Sequence, residues 1–201
     1  PEYRRQRQMC IRDRARGAQL AERLIQQDGV DFMLGPYSSG MTKAIAPVSE
    51  KFGVPMIEAE GASRSLFTQG YKYLFAVLST TDLYLPGSVH FAADQKKSIG
   101  KSPSDTKVAM AFEGDPFSMD IRAGLVDLIK EYGMKIIIDD QLPADLSDMS
   151  TTLTKVKALK PDILIVSGHS KGAATAARQI DEMKINVCLL YTSDAADDIP
   201  G

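Results

Sequence analysis

Short apolar runs alternate along this chain with longer segments in which apolar residues recur at helical spacing. Residues 30–34 form such a run, which stops at Gly35 and Pro36, and residues 17–28 carry the helical pattern before it. A strand that is apolar throughout is typical of a parallel sheet covered by helices on both faces. The alternation therefore predicts an α/β fold with Rossmann-like parallel sheets.

The alternation continues along most of the chain and locates the loops that follow strands. Predicted strands cover residues 30–34, 54–57, 74–78, 107–112, 135–138 and 162–166, and predicted helices cover residues 17–28, 40–52, 82–93, 117–132, 149–159 and 172–183. Ligands of parallel α/β sheets bind beyond the carboxyl ends of the strands. Functional side chains are therefore expected at residues 35–40, 58–65, 79–82, 113–118 and 167–172.

The two ends of the chain can be encoded by opposite strands of one DNA. Residues 188–197 can be back-translated as TGT CTC TTA TAC ACA TCT GAC GCT GCC GAC, followed by GA. The reverse complement, read from its second base, encodes residues 4–13. Termini related in this way indicate translated sequencing adapter. We therefore expect residues 1–14 and 188–201 to be non-native, and they are set aside from fold reasoning.

Composition limits the function classes that residues 15–187 can serve. Both cysteines, Cys10 and Cys188, lie in the adapter-like runs, as does the basic cluster at residues 4–14. The cysteines therefore do not predict a disulfide, and the basic cluster does not predict a segment that binds nucleic acid. The net charge is −2 and no apolar run is long enough to span a bilayer, so we expect no nucleic-acid partner and no membrane segment.

Several short motifs follow one another in a fixed order between residues 15 and 187. They are ERLI at 22–25, VDFMLGPYSS at 30–39, GVPMI at 53–57, GAS at 61–63, GYKYLF at 70–75, LTKVKALKPD at 153–162 and ARQI at 177–180. In the order and spacing of these motifs, the chain resembles the type I periplasmic solute-binding proteins of ABC importers, in the branched-chain amino-acid group.

This resemblance implies a periplasmic binding protein type I fold with two α/β lobes that close on a ligand. Residues 15–79 are then a fragment of lobe 1 and residues 80–187 a fragment of lobe 2, so the fold is incomplete in this sequence. The implied function is capture of an amino acid or related small zwitterion for an ABC transporter. The resemblance also implies no catalysis, no cofactor, no metal, permease subunits as partners, and a periplasmic or extracellular location, lipid-anchored in some relatives.

In the first lobe, Ser39 matches the family serine that meets the α-carboxylate of the ligand, with Tyr37 and Ser38 beside it. A hydroxyl and free backbone N–H groups at a helix N-terminus form an anion site, which the helix dipole strengthens. The alternative is that Ser38 and Ser39 only cap the helix.

The segment at residues 58–63 matches the part of the family that presents backbone groups and a hydroxyl to the amino acid. Here Ala62 occupies the hydroxyl position and Ser63 follows one place later. Glu58 and Glu60 replace small residues, and a carboxylate near the ligand would favour a cationic group. The alternative is that both glutamates point to solvent, as most glutamates do.

In the second lobe, Phe117 stands where the family usually has a tyrosine facing the ligand. An aromatic ring there can cover the apolar part of the ligand, and the alternative is an ordinary core residue. Asp115 and Asp120 raise the question of a metal site. Two carboxylates without a ligand-rich loop are weak evidence, so solvated acids are the favoured interpretation.

The sequence GHSKG at residues 168–172 fits the G-x-S-x-G pattern between a predicted strand and a predicted helix. An α/β-hydrolase would use Ser170 as its nucleophile, but no histidine follows His169 in the sequence, and His90 precedes it. The family resemblance instead implies that His169 or Ser170 contacts the ligand. A ligand-sensing domain of a receptor or regulator with the same fold is a further alternative.

Overall fold

The computed structural model describes residues 14–94, 100–143 and 147–193. The chain divides into two compact units, with the division between Thr80 and Thr81. Both units are built from parallel strands connected by helices, which confirms the predicted α/β class. Among the described residues, no helix combines the length and the apolar composition that crossing a membrane requires.

The first unit contains three strands in the order β1-β2-β3, all parallel. Its elements are α1 (Arg14–Gln26), β1 (Met33–Leu34), α2 (Ser39–Phe52), β2 (Met56–Glu58), α3 (Arg64–Phe67) and β3 (Leu74–Ala76). Helix α2 ends at Gly53, whose φ of 67° lies in the left-handed region that glycine adopts without strain. The Gly53 N–H donates to the carbonyl oxygens at the end of the helix, which would otherwise lack a donor.

Helices α1 and α2 cover only one face of this sheet. Met33 and Met56 pair across β1 and β2, and both are buried against Ala21 of α1 and Ala46 of α2. The next residue of each strand faces the opposite way, because side chains alternate along a strand. These residues, Leu34, Ile57 and Phe75, lie in register across the sheet and are 77%, 36% and 51% exposed. The first unit therefore has an open apolar face, defined by these three side chains.

The second unit contains four parallel strands in the order β5-β4-β6-β7. Its strands are β4 (Lys107–Glu113), β5 (Lys135–Leu142), β6 (Ile163–Ser167) and β7 (Leu189–Ser193). Its helices are α4 (Pro86–Asp94), α5 (Pro116–Glu131), α6 (Ser150–Leu159) and α7 (Ser170–Glu182), with short 3-10 turns at Thr81–Leu83 and Pro103–Asp105.

Helices cover both faces of the second sheet, as the apolar strands predict. Val108, Met110 and Phe112 of β4 pack against α4 and α5, whereas Ala109 and Ala111 pack against α6 and α7. The alternation of large and small side chains along β4 reflects the two cores on either side of it. Both faces of a central strand are therefore apolar, which removes the polar alternation expected of a half-exposed strand.

Several predicted boundaries differ from the observed ones. The first predicted strand, at residues 30–34, is reduced to Met33–Leu34, and the third, at residues 74–78, is reduced to Leu74–Ala76. The predicted helix at residues 82–93 is split into a 3-10 turn at Thr81–Leu83 and α4. Strand β5 extends four residues beyond its predicted end at residue 138.

Strand β7 lies within the run assigned to translated adapter. It pairs in parallel with β6, with Ile163 opposite Leu189. A run of leucine, tyrosine and threonine has high β-propensity and can extend a sheet whatever its origin. Residues 1–13 and 194–201 of the adapter-like runs lie outside the described residues. The non-native origin of both runs and the lobe boundaries at residues 79 and 187 remain predictions.

We expect the double variant Leu34→Thr with Phe75→Thr to bind less of a dye that fluoresces on apolar surfaces. The two side chains supply much of the open apolar face, and contiguous exposed apolar surface of this kind binds such dyes and promotes association. The matched control is Leu159→Thr, which removes an exposed leucine from the end of α6 in the other unit. An equal decrease in fluorescence for the control would contradict the assignment of dye binding to this face.

Candidate functional site

The first unit holds a buried carboxylate at the carboxyl end of β2. Glu58 is 0% exposed. Its Oε2 accepts a hydrogen bond from the Thr42 hydroxyl at 2.7 Å, and its Oε1 accepts from the N–H groups of Glu60 and Gly61 at 2.9 and 2.7 Å. A buried carboxylate requires such donors, because it has lost its hydration. The interpretation of Glu58 as a solvent-facing residue is therefore wrong, whereas Glu60 is exposed as that interpretation expects.

Gly35, one residue beyond β1, makes room for this carboxylate. A Cβ atom on Gly35 would lie 2.1 Å from Glu58 Oε2, which is far inside van der Waals contact. Strand β1 pairs with β2, so the two loops that follow them lie side by side. The glycine of the GPYSS sequence therefore has a packing role that the sequence pattern alone did not reveal.

Ser39 is the first residue of α2 and is buried. Its Oγ accepts a hydrogen bond from the Ser63 N–H at 3.1 Å, which ties the helix start to the loop after β2. Ser38 occupies the N-cap position, but its side chain makes no capping hydrogen bond. The structure thus contradicts the alternative that these serines serve only as caps. The N–H groups of Ser39 and Gly40 have no acceptor within the helix, as is usual for the first turn of an α-helix.

The other predicted residues of the first unit lie close to this helix end in sequence or in space. Ala62 and Ser63 are both fully enclosed in the loop after β2. The Ser63 hydroxyl lies 2.8 Å from the Ser65 hydroxyl, so it takes part in the internal hydrogen bonding of that loop. Tyr37 is exposed and Ser38 is half-buried. Contact of these residues with a ligand remains a prediction.

The second unit holds a cluster of ionisable side chains at the carboxyl ends of β4 and β6. Asp115 is the N-cap of α5, and its Oδ1 accepts from the N–H groups of Phe117 and Ser118 at 2.9 and 3.3 Å. It is 8% exposed, so the interpretation of Asp115 as a solvated acid is wrong. Asp120 lies further along α5, is half-buried and is not part of the cluster.

His169 approaches Asp115 from the loop after β6. Its Nε2 lies 3.6 Å from Asp115 Oδ1. Burial raises the pKa of the Asp115 carboxyl, but His169 and the hydrogen-bonding groups of Ser118 together lower it more, so the pKa falls below its ordinary value. The carboxylate form of Asp115 is therefore favoured in the folded protein.

Glu113, the last residue of β4, completes this cluster and is buried. One ligand atom from each of Glu113, Asp115 and His169 lies within 4.8 Å of the other two. A Cβ atom on Gly168 would lie 2.4 Å from Glu113 Oε1, so glycine is required where β6 ends. Glu113 lies in a predicted loop, and no role is predicted for it from the sequence. The signal for it is a carboxylate directly after the apolar run Val108–Phe112.

Phe117 is buried in the core of the second unit. Its ring is stacked on the His169 ring, with centroids 5.9 Å apart and planes inclined by 25°, and Tyr84 contacts it edge-on. These contacts match the alternative of an ordinary core residue. A ligand contact of Phe117 remains a prediction.

Ser170 is exposed and begins α7. Within the described ranges, its hydroxyl has no hydrogen bond to a histidine or to any other base. His90, the other histidine, donates to or accepts from the Tyr132 hydroxyl at 2.7 Å on the surface of α4. Among the residues that the structure describes, no general base is therefore hydrogen-bonded to Ser170.

Comparison with known proteins identifies one family for most of the chain. The family model described as "Periplasmic binding protein" matches residues 12–199. The Leu/Ile/Val-binding protein homolog 8 of Brucella abortus (strain 2308) is 24% identical over 163 residues, which cover 81% of this chain and 40% of that protein. The chain thus spans well under half the length of this curated relative.

Solved structures show the same fold. A solute binding protein of an ABC transporter from Rhodopseudomonas palustris BisB5, in complex with 3,4-dihydroxy benzoic acid, superposes with a TM-score of 0.79 at 21% identity, over 92% of this chain and 50% of that one. The branched-chain amino acid transporter substrate binding protein LivJ from Streptococcus pneumoniae, in complex with isoleucine, gives a TM-score of 0.71 at 23% identity, over 89% of this chain and 48% of that one.

We expect Glu58→Ala to lower the free energy of unfolding of the first unit by roughly 2 to 4 kcal/mol, because the Thr42 hydroxyl and the N–H groups of Glu60 and Gly61 lose this acceptor. Glu60→Ala is the matched control, since this neighbouring glutamate is exposed, and its effect should stay within about 0.5 kcal/mol. Urea denaturation followed by circular dichroism measures both. Similar losses for the two variants would show that the hydrogen bonds of Glu58 do not stabilise the fold.

Proposed function

Because the chain belongs to the family of periplasmic binding proteins, we propose that the protein containing it captures an amino acid or a related small zwitterion for an ABC transporter. The proposal places the protein outside the cytoplasm, in the periplasm or at the cell exterior, and gives it permease subunits as partners. It requires no catalytic step and no cofactor, since capture and release of a solute change no covalent bond.

The observation that carries the proposal is the open helix end at residues 38–40 of the first unit. Ser38 and Gly40 are half-buried there, and the N–H groups of Ser39 and Gly40 have no acceptor within the helix. A carboxylate at this position would receive those N–H groups together with the positive end of the helix dipole. The isoleucine and the dihydroxy benzoic acid bound by the two structural relatives both carry a carboxylate.

Ser39 is positioned to add a hydroxyl donor to this carboxylate site. Its oxygen already accepts from the Ser63 N–H, and a hydroxyl that accepts one hydrogen bond still has its own hydrogen to donate. The same hydrogen bond fixes the orientation of the side chain before a ligand arrives. Preorganisation of this kind favours binding, because less rotational freedom is lost on association.

The hydrolase alternative has less support. It rests on the GHSKG sequence, and Ser170 has no hydrogen-bonded base within the described residues. Both structural relatives named above are substrate-binding proteins that share the arrangement of strands and helices over about nine-tenths of this chain. We therefore propose that the loop at residues 168–172 contributes to binding, through His169 or Ser170, rather than to covalent attack.

In the full-length protein, we expect Ser39→Ala to weaken ligand binding by roughly 1.5 to 3 kcal/mol, the range for hydrogen bonds to charged groups. Isothermal titration with leucine, isoleucine and benzoate identifies a ligand and measures the change. Ser104→Ala is the control, because this serine is exposed, lies in the second unit and is not a predicted ligand residue. A lower melting temperature with unchanged affinity would assign Ser39 to stability alone.

A second experiment tests the hydrolase alternative. Ester hydrolysis by the full-length protein that is abolished by Ser170→Ala would support the hydrolase.

A further inference from the structure

We propose that Glu113, Asp115 and His169 bind a divalent transition-metal ion within the second unit. The three residues come from the end of β4, the N-cap of α5 and the residue before α7, and their ligand atoms lie within 4.8 Å of one another. All three belong to one compact unit. The inference therefore does not depend on the proposed transport function or on the first unit.

The donor set favours a transition metal over magnesium or calcium. It consists of two carboxylate oxygens and one imidazole nitrogen, and imidazole suits zinc, iron, nickel and copper better than the alkaline-earth ions. With a neutral imidazole, the two carboxylates carry a charge that balances a divalent ion. Three protein ligands also leave a coordination position for water or another small molecule.

The three side chains need to move only a little to bind an ion. Two ligand atoms that are each about 2.1 Å from a tetrahedral ion lie about 3.4 Å apart. The 3.6 Å separation of His169 Nε2 and Asp115 Oδ1 is close to this value. A shift of about 1 Å by the end of the Glu113 side chain would bring the third ligand into the same sphere. Rotation about the side-chain bonds of Glu113 can supply this shift, because its carboxylate is the free end of a flexible side chain.

A second observation points independently to a bound cation. Asp115 Oδ1 accepts two backbone N–H groups, but Asp115 Oδ2 is buried and, in the part of the chain that the structure describes, accepts no hydrogen bond. Buried carboxylate oxygens normally have a donor or a metal partner, because they have lost their hydration. An ion that Asp115 binds through both carboxylate oxygens would supply that partner. The two backbone N–H groups would hold the ligating carboxylate in place, as supporting hydrogen bonds do at metal sites.

The test uses the complete chain without an affinity tag and with Cys10→Ser and Cys188→Ser, because thiolates bind zinc independently of this cluster. Isothermal titration with Zn²⁺, and separately with Mn²⁺, measures affinity and stoichiometry. We expect one ion per chain and a loss of affinity of at least about tenfold for Glu113→Gln and for His169→Gln. Circular dichroism and thermal melting without metal establish that both variants fold.

Two matched controls separate the cluster from ordinary surface chelation. His90→Gln removes the other histidine, and Asp120→Asn removes a nearby carboxylate of α5 that lies outside the cluster. Both controls should retain the parent affinity. The absence of saturable one-to-one binding, or equal losses in the controls, would overturn the proposal. Binding of leucine in chelator-treated buffer that is lost in Glu113→Gln would assign the cluster to an ammonium group and would also overturn it.

Discussion

Parallel strand pairing is the constraint on which both polar sites depend. Every strand of a parallel sheet ends at the same edge, so the loops that follow neighbouring strands are brought together whatever their separation in sequence. In this way Ser39 meets Ser63 in the first unit, and Asp115 meets His169 in the second. The sheets themselves are held by apolar side chains, and the strand ends are where polar groups can be placed without disrupting that core.

The two units differ in how they stabilise a buried carboxylate. Glu58 has donors on both carboxylate oxygens, so it is a satisfied structural group that joins α2 to the loop after β2. Asp115 satisfies Oδ1 through its capping bonds, whereas its Oδ2 is buried without a hydrogen bond among the described residues, and Glu113 and His169 lie close to this carboxylate. Two buried carboxylates held close together repel each other unless positive charge lies near them. The first arrangement stabilises the fold, whereas the second is suited to binding a cation.

The sequence predicted the fold class and the positions of the loops because apolar strands and amphipathic helices alternate so regularly. It overestimated the strands of the first unit, where one face of the sheet is open and less packing holds the strand ends in place. It leaves Glu58 open between a residue near the ligand and a solvent-facing one, because most glutamates are exposed and the hydrogen bonds that bury Glu58 come from α2 and from the loop after β2. Asp115 was misjudged for a related reason, since its partner His169 is 54 residues away and no local pattern links them.

The close approach of a glycine to a buried glutamate occurs once in each unit, between Gly35 and Glu58 and between Gly168 and Glu113. Each pair fills one space from two neighbouring strands, so neither position is free to change alone. A larger residue at the glycine forces the glutamate side chain to move or to be shorter, so the two positions are expected to covary across the family. Libraries that alter ligand preference should therefore randomise the members of each pair jointly, since single changes sample mainly chains that fail to pack.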